Sequence, residues 1–172
     1  ELSFNGAVGE LDSAAAPFVV VDLGGGSTEV VLGGGSGGPG ASLVQASYSA
    51  DIGCVRMTER CLHSDPPTAA EVAAAREVVR EQLAAALAVV PVERAKTWVG
   101  VAGTFTTLAA LAHKMTTYDS DAIHLSRVGF AELLEVCEQL IAMTRTQRAA
   151  LGPMHEGRVD VIGGGAIVVQ EL

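Results

Sequence analysis

The segment Phe18–Gly35, FVVVDLGGGSTEVVLGGG, constrains the fold of this 172-residue chain more than any other part of the sequence. Its two short runs rich in β-branched residues, Val19–Leu23 and Glu29–Leu32, are typical of β-strands, and the glycines between them predict a turn. Acidic residues lie at both ends of that turn, Asp22 in the first run and Glu29 at the start of the second. The sequence therefore predicts two strands joined by a glycine turn that carries carboxylates.

The residues of the turn allow two interpretations. A purely structural hairpin explains one or two glycines with positive φ. It does not explain three in a row, Gly24, Gly25 and Gly26, beside acids and hydroxyls. Bare glycines expose successive backbone N–H donors and let a phosphate approach the main chain, and Ser27 and Thr28 add hydroxyl donors. This chemistry favours a phosphate or nucleotide site over a plain hairpin.

The two carboxylates add a further function to the turn. Asp22 and Glu29 are suited to hold Mg²⁺ through water, or to polarise an attacking water. A Walker loop is excluded because no lysine lies near the turn. GGGSGG at Gly33–Gly38 formally satisfies G-x-G-x-x-G, but no helix is predicted after it, so a dinucleotide site is not expected there.

A second candidate anion site lies in GVAGTFTTLAAL, Gly100–Leu111. The preceding residues, Thr97–Ala102, predict a short strand, and Gly103 and Thr104 lie where a helix begins. Free N–H groups and the positive end of the helix dipole would face an anion bound at that point. The alternative is that Gly103 only lets the helix pack closely on the strand, and the residues leave both interpretations open.

The third glycine block is VIGGGAIVVQ, Val161–Gln170. It can accept a purine or ribose, or it can let two backbones approach each other. Periodicity alone leaves a strand-turn-strand and a buried helix as alternatives. Three arginines, Arg56, Arg60 and Arg158, are possible phosphate partners, with surface salt bridges as the alternative role.

The remaining segments predict the order of the other elements. Leu43–Thr58 is expected to be a longer extended segment with a bend at Gly53, which completes a three-stranded antiparallel meander. A capping box at Thr68–Glu71 opens an amphipathic helix. The order strand, helix, strand then predicts that Thr97–Ala102 joins the sheet parallel to a neighbour. Another helix is predicted over Gly129–Met143.

Composition limits the class of partner. The net charge of −9 argues against nucleic acid or an anionic membrane surface as a partner. Binding of a polyanionic ligand would depend on backbone N–H groups, a metal ion or a basic surface elsewhere. Apolar runs fall far short of the ~20 residues of a membrane span.

We expect the cysteines and the tryptophan to lie in the hydrophobic core. Three cysteines, Cys54, Cys61 and Cys137, fit reduced thiols in a cytoplasmic protein better than a disulfide framework. The cluster of Cys54, Cys61 and His63 is half of a zinc site at most, and core cysteines are the preferred interpretation. Trp98 lies within an apolar strand and is expected to be buried.

Taken in order, five blocks resemble the exopolyphosphatase and guanosine pentaphosphate phosphohydrolase (Ppx/GppA) family of the actin, sugar kinase and Hsp70 superfamily. The blocks are ELSFNGAV, VVVDLGGGSTEVVLG, IGCVRMTER, GVAGTFTTLAALA and RVDVIGGGAIVVQEL. They cover nearly the whole chain and are most similar to the actinobacterial exopolyphosphatase branch. The resemblance implies an α/β, RNase H-like domain, in a two-lobed enzyme that binds phosphates in the cleft between its lobes.

The resemblance also implies a chemistry. Members require Mg²⁺ and release terminal phosphate from inorganic polyphosphate, and some convert pppGpp to ppGpp. Water attacks the terminal phosphorus, a glutamate acts as base, and the metal with glycine-loop amides stabilises the developing charge. The family's second phosphate loop maps onto Asp22, Gly24–Gly26, Ser27, Thr28 and Glu29, with Asp22 and Glu29 as the metal-binding or water-orienting carboxylates.

The sequence departs from the family pattern at both ends. The first lobe, with its own phosphate loop, is absent, and Glu1 aligns just after the family's catalytic base. The family continues beyond Leu172 with another strand and helix. We therefore expect residues 1–172 to be the second lobe, truncated at both ends, which contributes one phosphate-binding loop and is inactive alone.

Two other interpretations remain open. One is a non-catalytic sensor module that recognises a phosphorylated nucleotide such as (p)ppGpp through the same loops. The other is a structural lobe whose glycines serve dimer packing. Loss of the first lobe would expose an apolar face, so a homodimer is a further expectation.

Overall fold

The computed structural model describes residues 2–34 and 44–172. Glu1 and most of the glycine-rich loop that follows β2, with its G-x-G-x-x-G match, lie outside the described residues. The helices of the described ranges are α1 (Leu2–Val8), α2 (Cys54–Cys61), α3 (Ala69–Val89), α4 (Ala102–Ala112), α5 (Ser120–Ile123), α6 (Phe130–Ala142), α7 (Arg145–Ala149) and α8 (Ile162–Glu171). The strands are β1 (Phe18–Leu23), β2 (Thr28–Gly33), β3 (Val44–Ala50) and β4 (Thr97–Val101).

These strands form one mixed sheet in the order β3-β2-β1-β4. β1 pairs antiparallel with β2, β2 pairs antiparallel with β3, and β4 lies parallel to β1. The predicted meander, extended by a parallel strand with flanking helices, is confirmed. β1 lies between its antiparallel neighbour β2 and its parallel neighbour β4, and it is buried along almost its whole length. Its carboxyl end therefore lies beside that of β4, where open α/β sheets place their ligands.

One part of the predicted meander is wrong. The extended segment expected over Leu43–Thr58 ends with β3, and its second half is α2. No side chain caps this helix at Gly53. Its first amides bond instead to the carbonyls of Gly24 and Gly25. Because these acceptors lie some thirty residues earlier in the chain, the sequence around Cys54 contains no local signal that a helix begins.

The main core lies on the face of the sheet covered by α3, α4 and α8. The ambiguous glycine block Val161–Gln170 is almost entirely helical, and α8 contacts α2, α3, α4 and α6. The predicted apolar face of α3 is confirmed, since Ala75, Val79 and Leu83 are buried against this core. α8 is therefore the helix around which the other helices pack.

The opposite face of the sheet is covered at one end by α1. Phe4 and Val8 pack there against Phe18 and Val20 of β1. The next residue of β1 on that face, Asp22, is polar and half-buried, so the apolar contact stops where the candidate site begins.

Trp98 is not buried, contrary to the sequence-based expectation. It is 38% exposed, because β4 has β1 as its one neighbouring strand within the described residues. Side chains along β4 alternate between half-buried and exposed. An apolar strand at the edge of a sheet has the same residue pattern as a central strand. The sequence therefore could not show that Trp98 would be exposed.

The capping box at the start of α3 yields a prediction about stability. The pKa of Glu71 is lowered from 4.5, first by the hydrogen bond from the Thr68 backbone N–H. The charge of Glu71 therefore stabilises the folded chain above pH 4.5, and this contribution is lost as pH falls through the folded pKa. We expect Glu71→Gln to lower the free energy of unfolding at neutral pH, with the difference vanishing in acid. Urea denaturation against pH measures it, and Glu81→Gln on the same helix is the control. A difference that persists in acid would contradict this explanation.

Candidate functional site

The glycine turn between β1 and β2 is held from one side by α2. The amide of Cys54 donates to the carbonyl of Gly24 at 2.9 Å, and the amides of Val55 and Arg56 donate to the carbonyl of Gly25 at 2.9 and 3.0 Å. The first amides of a helix have no partner within the helix, so the turn supplies the acceptors they need. Two segments distant in sequence are thereby joined through main-chain groups.

This contact fixes where the amides of the turn point. In a trans peptide the C=O and the following N–H point in opposite directions. The carbonyls of Gly24 and Gly25 face α2, so the amides of Gly25 and Gly26 face away from it. Within the described residues neither amide has a recorded partner, whereas the Gly24 amide donates to the Ser27 carbonyl at 3.0 Å. The turn therefore presents two adjacent free N–H donors, which suits an anion.

The close contact between turn and helix requires a glycine before α2. A Cβ on Gly53 would overlap with the carbonyl group of Gly25 and the nitrogen of Gly26. These are backbone atoms that cannot move aside without displacing the turn. Gly53 was predicted as a bend, and the structure shows that it is the point where the helix meets the turn.

The two predicted hydroxyl donors are engaged inside the protein. Thr28 is 0% exposed, and its hydroxyl donates to the carbonyl of Ile52 at 2.7 Å. Ser27 donates its hydroxyl to Oε1 of Glu29 at 2.6 Å. In this arrangement the free donors of the turn are backbone amides, and the hydroxyls organise the loop and the carboxylate.

Asp22 and Glu29 form a like-charged pair across the two strands. They are direct partners in the β1–β2 register, an unfavourable arrangement for two carboxylates. The pKa of Asp22 is raised above 3.8, first by burial and then by the charge of Glu29. Glu29 also accepts a hydrogen bond from the Ser49 hydroxyl at 2.8 Å. Ser49 was missed in the sequence because only the β2–β3 register places it there.

This carboxylate pair fits a magnesium ion bound together with a phosphate. Within the described residues no group of three or more His, Cys, Asp and Glu side chains is placed so that it could hold a metal ion. Mg²⁺ is commonly held by one or two carboxylates, with water and substrate phosphate as its other ligands. A cation between Asp22 and Glu29 would also relieve their mutual repulsion. The same observation leaves no zinc cluster at Cys54, Cys61 and His63.

The second candidate turn lies next to the first. Asp22 pairs with Val101 in the parallel β1–β4 register, so Gly24 and the start of α4 follow neighbouring strand ends. No side chain caps α4, and Ala102 at its start has a φ of 72°. A positive φ in a non-glycine residue is a strained conformation that tends to occur at functional sites.

The predicted arginines are brought to both turns. The guanidinium of Arg158 packs directly on Gly103, where a Cβ would overlap with it. Arg56 donates from Nε to the Gly26 carbonyl at 2.7 Å. It also borders, with Arg60, a cavity of about 690 Å³ beside the first turn. The structure therefore places one guanidinium group beside each turn, and Arg56 also forms a surface salt bridge with Asp51 at 3.7 Å, the alternative role expected for it.

The hydroxyl of Thr104 is not available to a ligand in this structure. The side chain is 1% exposed, and its Oγ1 is buried without a hydrogen-bond partner. Its amide lies in the first turn of α4, as predicted.

Comparison with known proteins identifies the family. The model of the Ppx/GppA phosphatase family matches residues 1–172. The chain belongs to this family. Exopolyphosphatase 2 of Mycobacterium tuberculosis is 72% identical over the whole chain, which spans 52% of that protein. A bifunctional 3-dehydroquinate synthase/phosphatase of Fusobacterium nucleatum is 30% identical over 99% of the chain and 25% of its own length.

Solved structures of Ppx/GppA proteins share the fold. An exopolyphosphatase-like protein superposes with a TM-score of 0.94 at 41% identity, over 99% of this chain and 53% of that one. The Aquifex aeolicus PPX-GPPA enzyme superposes with a TM-score of 0.80 at 29% identity, over 96% and 52%. The predicted α/β fold of the actin-like superfamily is thus confirmed. This chain corresponds to about half the length of the mycobacterial relative and of these two solved structures.

None of the described helices is both long enough and apolar enough to cross a membrane.

The raised pKa of Asp22 leads to a prediction about pH and metal. Between pH 3.8 and its folded pKa the folded chain binds more protons than the unfolded chain, so the ionised carboxylate lowers stability above that window. We expect Asp22→Asn to raise the free energy of unfolding at neutral pH, with the gain disappearing below pH 3.8.

Denaturant titrations with and without Mg²⁺ measure both effects. Added Mg²⁺ should stabilise the parent more than the variant, because a ligand stabilises only the state that binds it. Equal stabilisation of the two proteins by Mg²⁺ would remove Asp22 from the candidate metal site.

Proposed function

We propose that this chain is the second lobe of a two-lobed exopolyphosphatase that hydrolyses the terminal phosphoanhydride bond of inorganic polyphosphate. The observation that carries the proposal is the pair of free amides on Gly25 and Gly26 beside the carboxylates of Asp22 and Glu29. The high identity to a mycobacterial exopolyphosphatase over the whole chain supports it. The half of the mycobacterial relative that this chain does not match is expected to correspond to the first lobe.

The residues of the turn would act on the terminal phosphate. The amides of Gly25 and Gly26 bind its oxygens and stabilise the charge that develops as the phosphorus–oxygen bond breaks. Because α2 already holds these amides in place, little reorganisation accompanies the reaction. Arg56 beside the first turn and Arg158 beside the second add positive charge.

The carboxylates would hold Mg²⁺ and orient water. Asp22 and Glu29 are its ligands, and Mg²⁺ when bound supplies charge neutralisation to the phosphate. The hydroxyls of Ser27 and Ser49 donate to one oxygen of Glu29 and leave the other oxygen for a metal or a water. An attacking water must pass its proton to a base, and we expect that base to be the family's glutamate that precedes Glu1.

The proposal extends to a second substrate, to the location of the protein and to its partners. Conversion of pppGpp to ppGpp breaks the same type of bond, and we include it as a second reaction of the site. The three cysteines are free, which supports a cytoplasmic protein. Nucleic acid is not an expected partner of a chain with a net charge of −9. A homodimer remains a prediction.

Phosphate release by the full-length protein tests the function. We expect the parent to release phosphate from polyphosphate in the presence of Mg²⁺, and Glu29→Gln to lower kcat by about 10²-fold or more because the carboxylate is lost. Glu81→Gln, exposed on α3, is the matched control and should retain the parental rate. Residues 1–172 alone should release no phosphate.

Three results would contradict the proposal in different ways. A parental rate in Glu29→Gln would make that residue structural. Turnover by residues 1–172 alone would show that no group from a first lobe is needed. Binding of pppGpp without turnover of either substrate by the full-length protein would favour the sensor interpretation.

A further inference from the structure

The three glycines of α8, Gly163–Gly165, are buried in the first turn of the helix. Glycine has a lower helix propensity than alanine, so three in succession require a reason. The reason is visible at two of them. A Cβ on Gly164 would lie 2.5 Å from Oγ1 of Thr58 and 2.7 Å from the carbonyl oxygen of Cys54. A Cβ on Gly165 would lie 2.8 Å from both Oγ1 and Cγ2 of Thr104.

Gly165 therefore touches the first turns of two helices at once. The same Cβ position lies 3.3 Å from Cβ of Cys54, in the first turn of α2, while Thr104 belongs to the first turn of α4. The Thr104 hydroxyl is buried there without a partner, so the contact is one of close packing rather than hydrogen bonding. The two helix starts meet on the bare backbone of α8.

Both of these helix starts belong to the candidate site. The first turn of α2 holds the carbonyls of Gly24 and Gly25, which sets the direction of the amides of the glycine turn. The first turn of α4 carries Gly103 against the guanidinium of Arg158. A change in the distance between α8 and either helix would move one anion-binding turn relative to the other.

We propose that Gly165, supported by Gly164, is a positioning residue that sets the relative placement of the two phosphate-binding turns through α2 and α4. It does not touch the substrate. The inference rests on the proposed function for its effect on phosphate, but its effect on the turn is a property of the ligand-free protein. Protein interiors are close-packed, so one added methyl group at this contact has to displace a helix.

The variant Gly165→Ala tests this, and Gly163→Ala is its control on the same helix. Both substitutions make the same chemical change. A Cβ on Gly163, however, would lie 2.9 Å from Nη1 of the buried Arg148 and would meet neither α2 nor α4. The parent and both variants are prepared as full-length proteins labelled with ¹⁵N-glycine. Their amide spectra are compared first without ligand and then during a titration with inorganic tripolyphosphate. Spectra are recorded well below the unfolding temperature of each variant.

We expect Gly165→Ala to shift the amide signals of Gly25 and Gly26 and to weaken tripolyphosphate binding about tenfold, since small displacements of binding groups have large effects. Gly163→Ala should leave both unchanged. Adding Thr104→Ala to the first variant removes both atoms at 2.8 Å and should restore the signals and the affinity. Such rescue is not expected from a general loss of stability.

A second route covers the case in which Gly165→Ala does not fold. Cys54→Val adds bulk to the α2 side of the same contact and should displace the same two amide signals. The positioning role would be overturned if a folded variant, either Gly165→Ala or Cys54→Val, showed the Gly25 and Gly26 signals at their parental positions. Displaced signals in a protein whose parent does not bind tripolyphosphate would leave that role intact and overturn the proposed function instead.

Discussion

The structure depends on three main-chain hydrogen bonds that run from the first turn of α2 to the carbonyls of Gly24 and Gly25. They serve both partners, because the helix start needs acceptors and the glycine turn needs a fixed orientation. Without them the turn would be a short loop between two strands, free to point its amides in several directions. With them, the amides of Gly25 and Gly26 are organised before any anion arrives, which is the condition for strong electrostatic stabilisation.

The other features of the site follow from this attachment. α2 can reach the turn only if Gly53 has no side chain, and α8 can pack against both α2 and α4 only if it presents bare backbone at Gly164 and Gly165. The glycines of the three sequence blocks therefore have different tasks. Those of the turn offer donors, and those of α8 remove bulk between helices. The like-charged pair of Asp22 and Glu29 then makes the same sheet edge favourable for a cation as well as for a phosphate.

Much of the fold was predictable because its signals are local. The strands on both sides of the glycine turn, the capping box of α3 and the parallel strand before α4 each carry their own pattern. α2 was not predictable, since its start is satisfied by carbonyls from a remote turn. The helical state of the Gly163–Gly165 block was also open, because tertiary packing overrides the low helix propensity of glycine. In the site, the residue types of the turn were evident, but the internal use of the Ser27 and Thr28 hydroxyls and the role of Ser49 depend on strand register.

The most direct test of the central claim is a phosphate titration that observes the turn itself. The full-length protein is labelled with ¹⁵N-glycine and titrated with inorganic tripolyphosphate in the presence of Mg²⁺. The account predicts saturable shifts of the amide signals of Gly25 and Gly26, with the signal of Gly129, at the start of α6, unchanged. Saturable binding that leaves the Gly25 and Gly26 signals in place would contradict it.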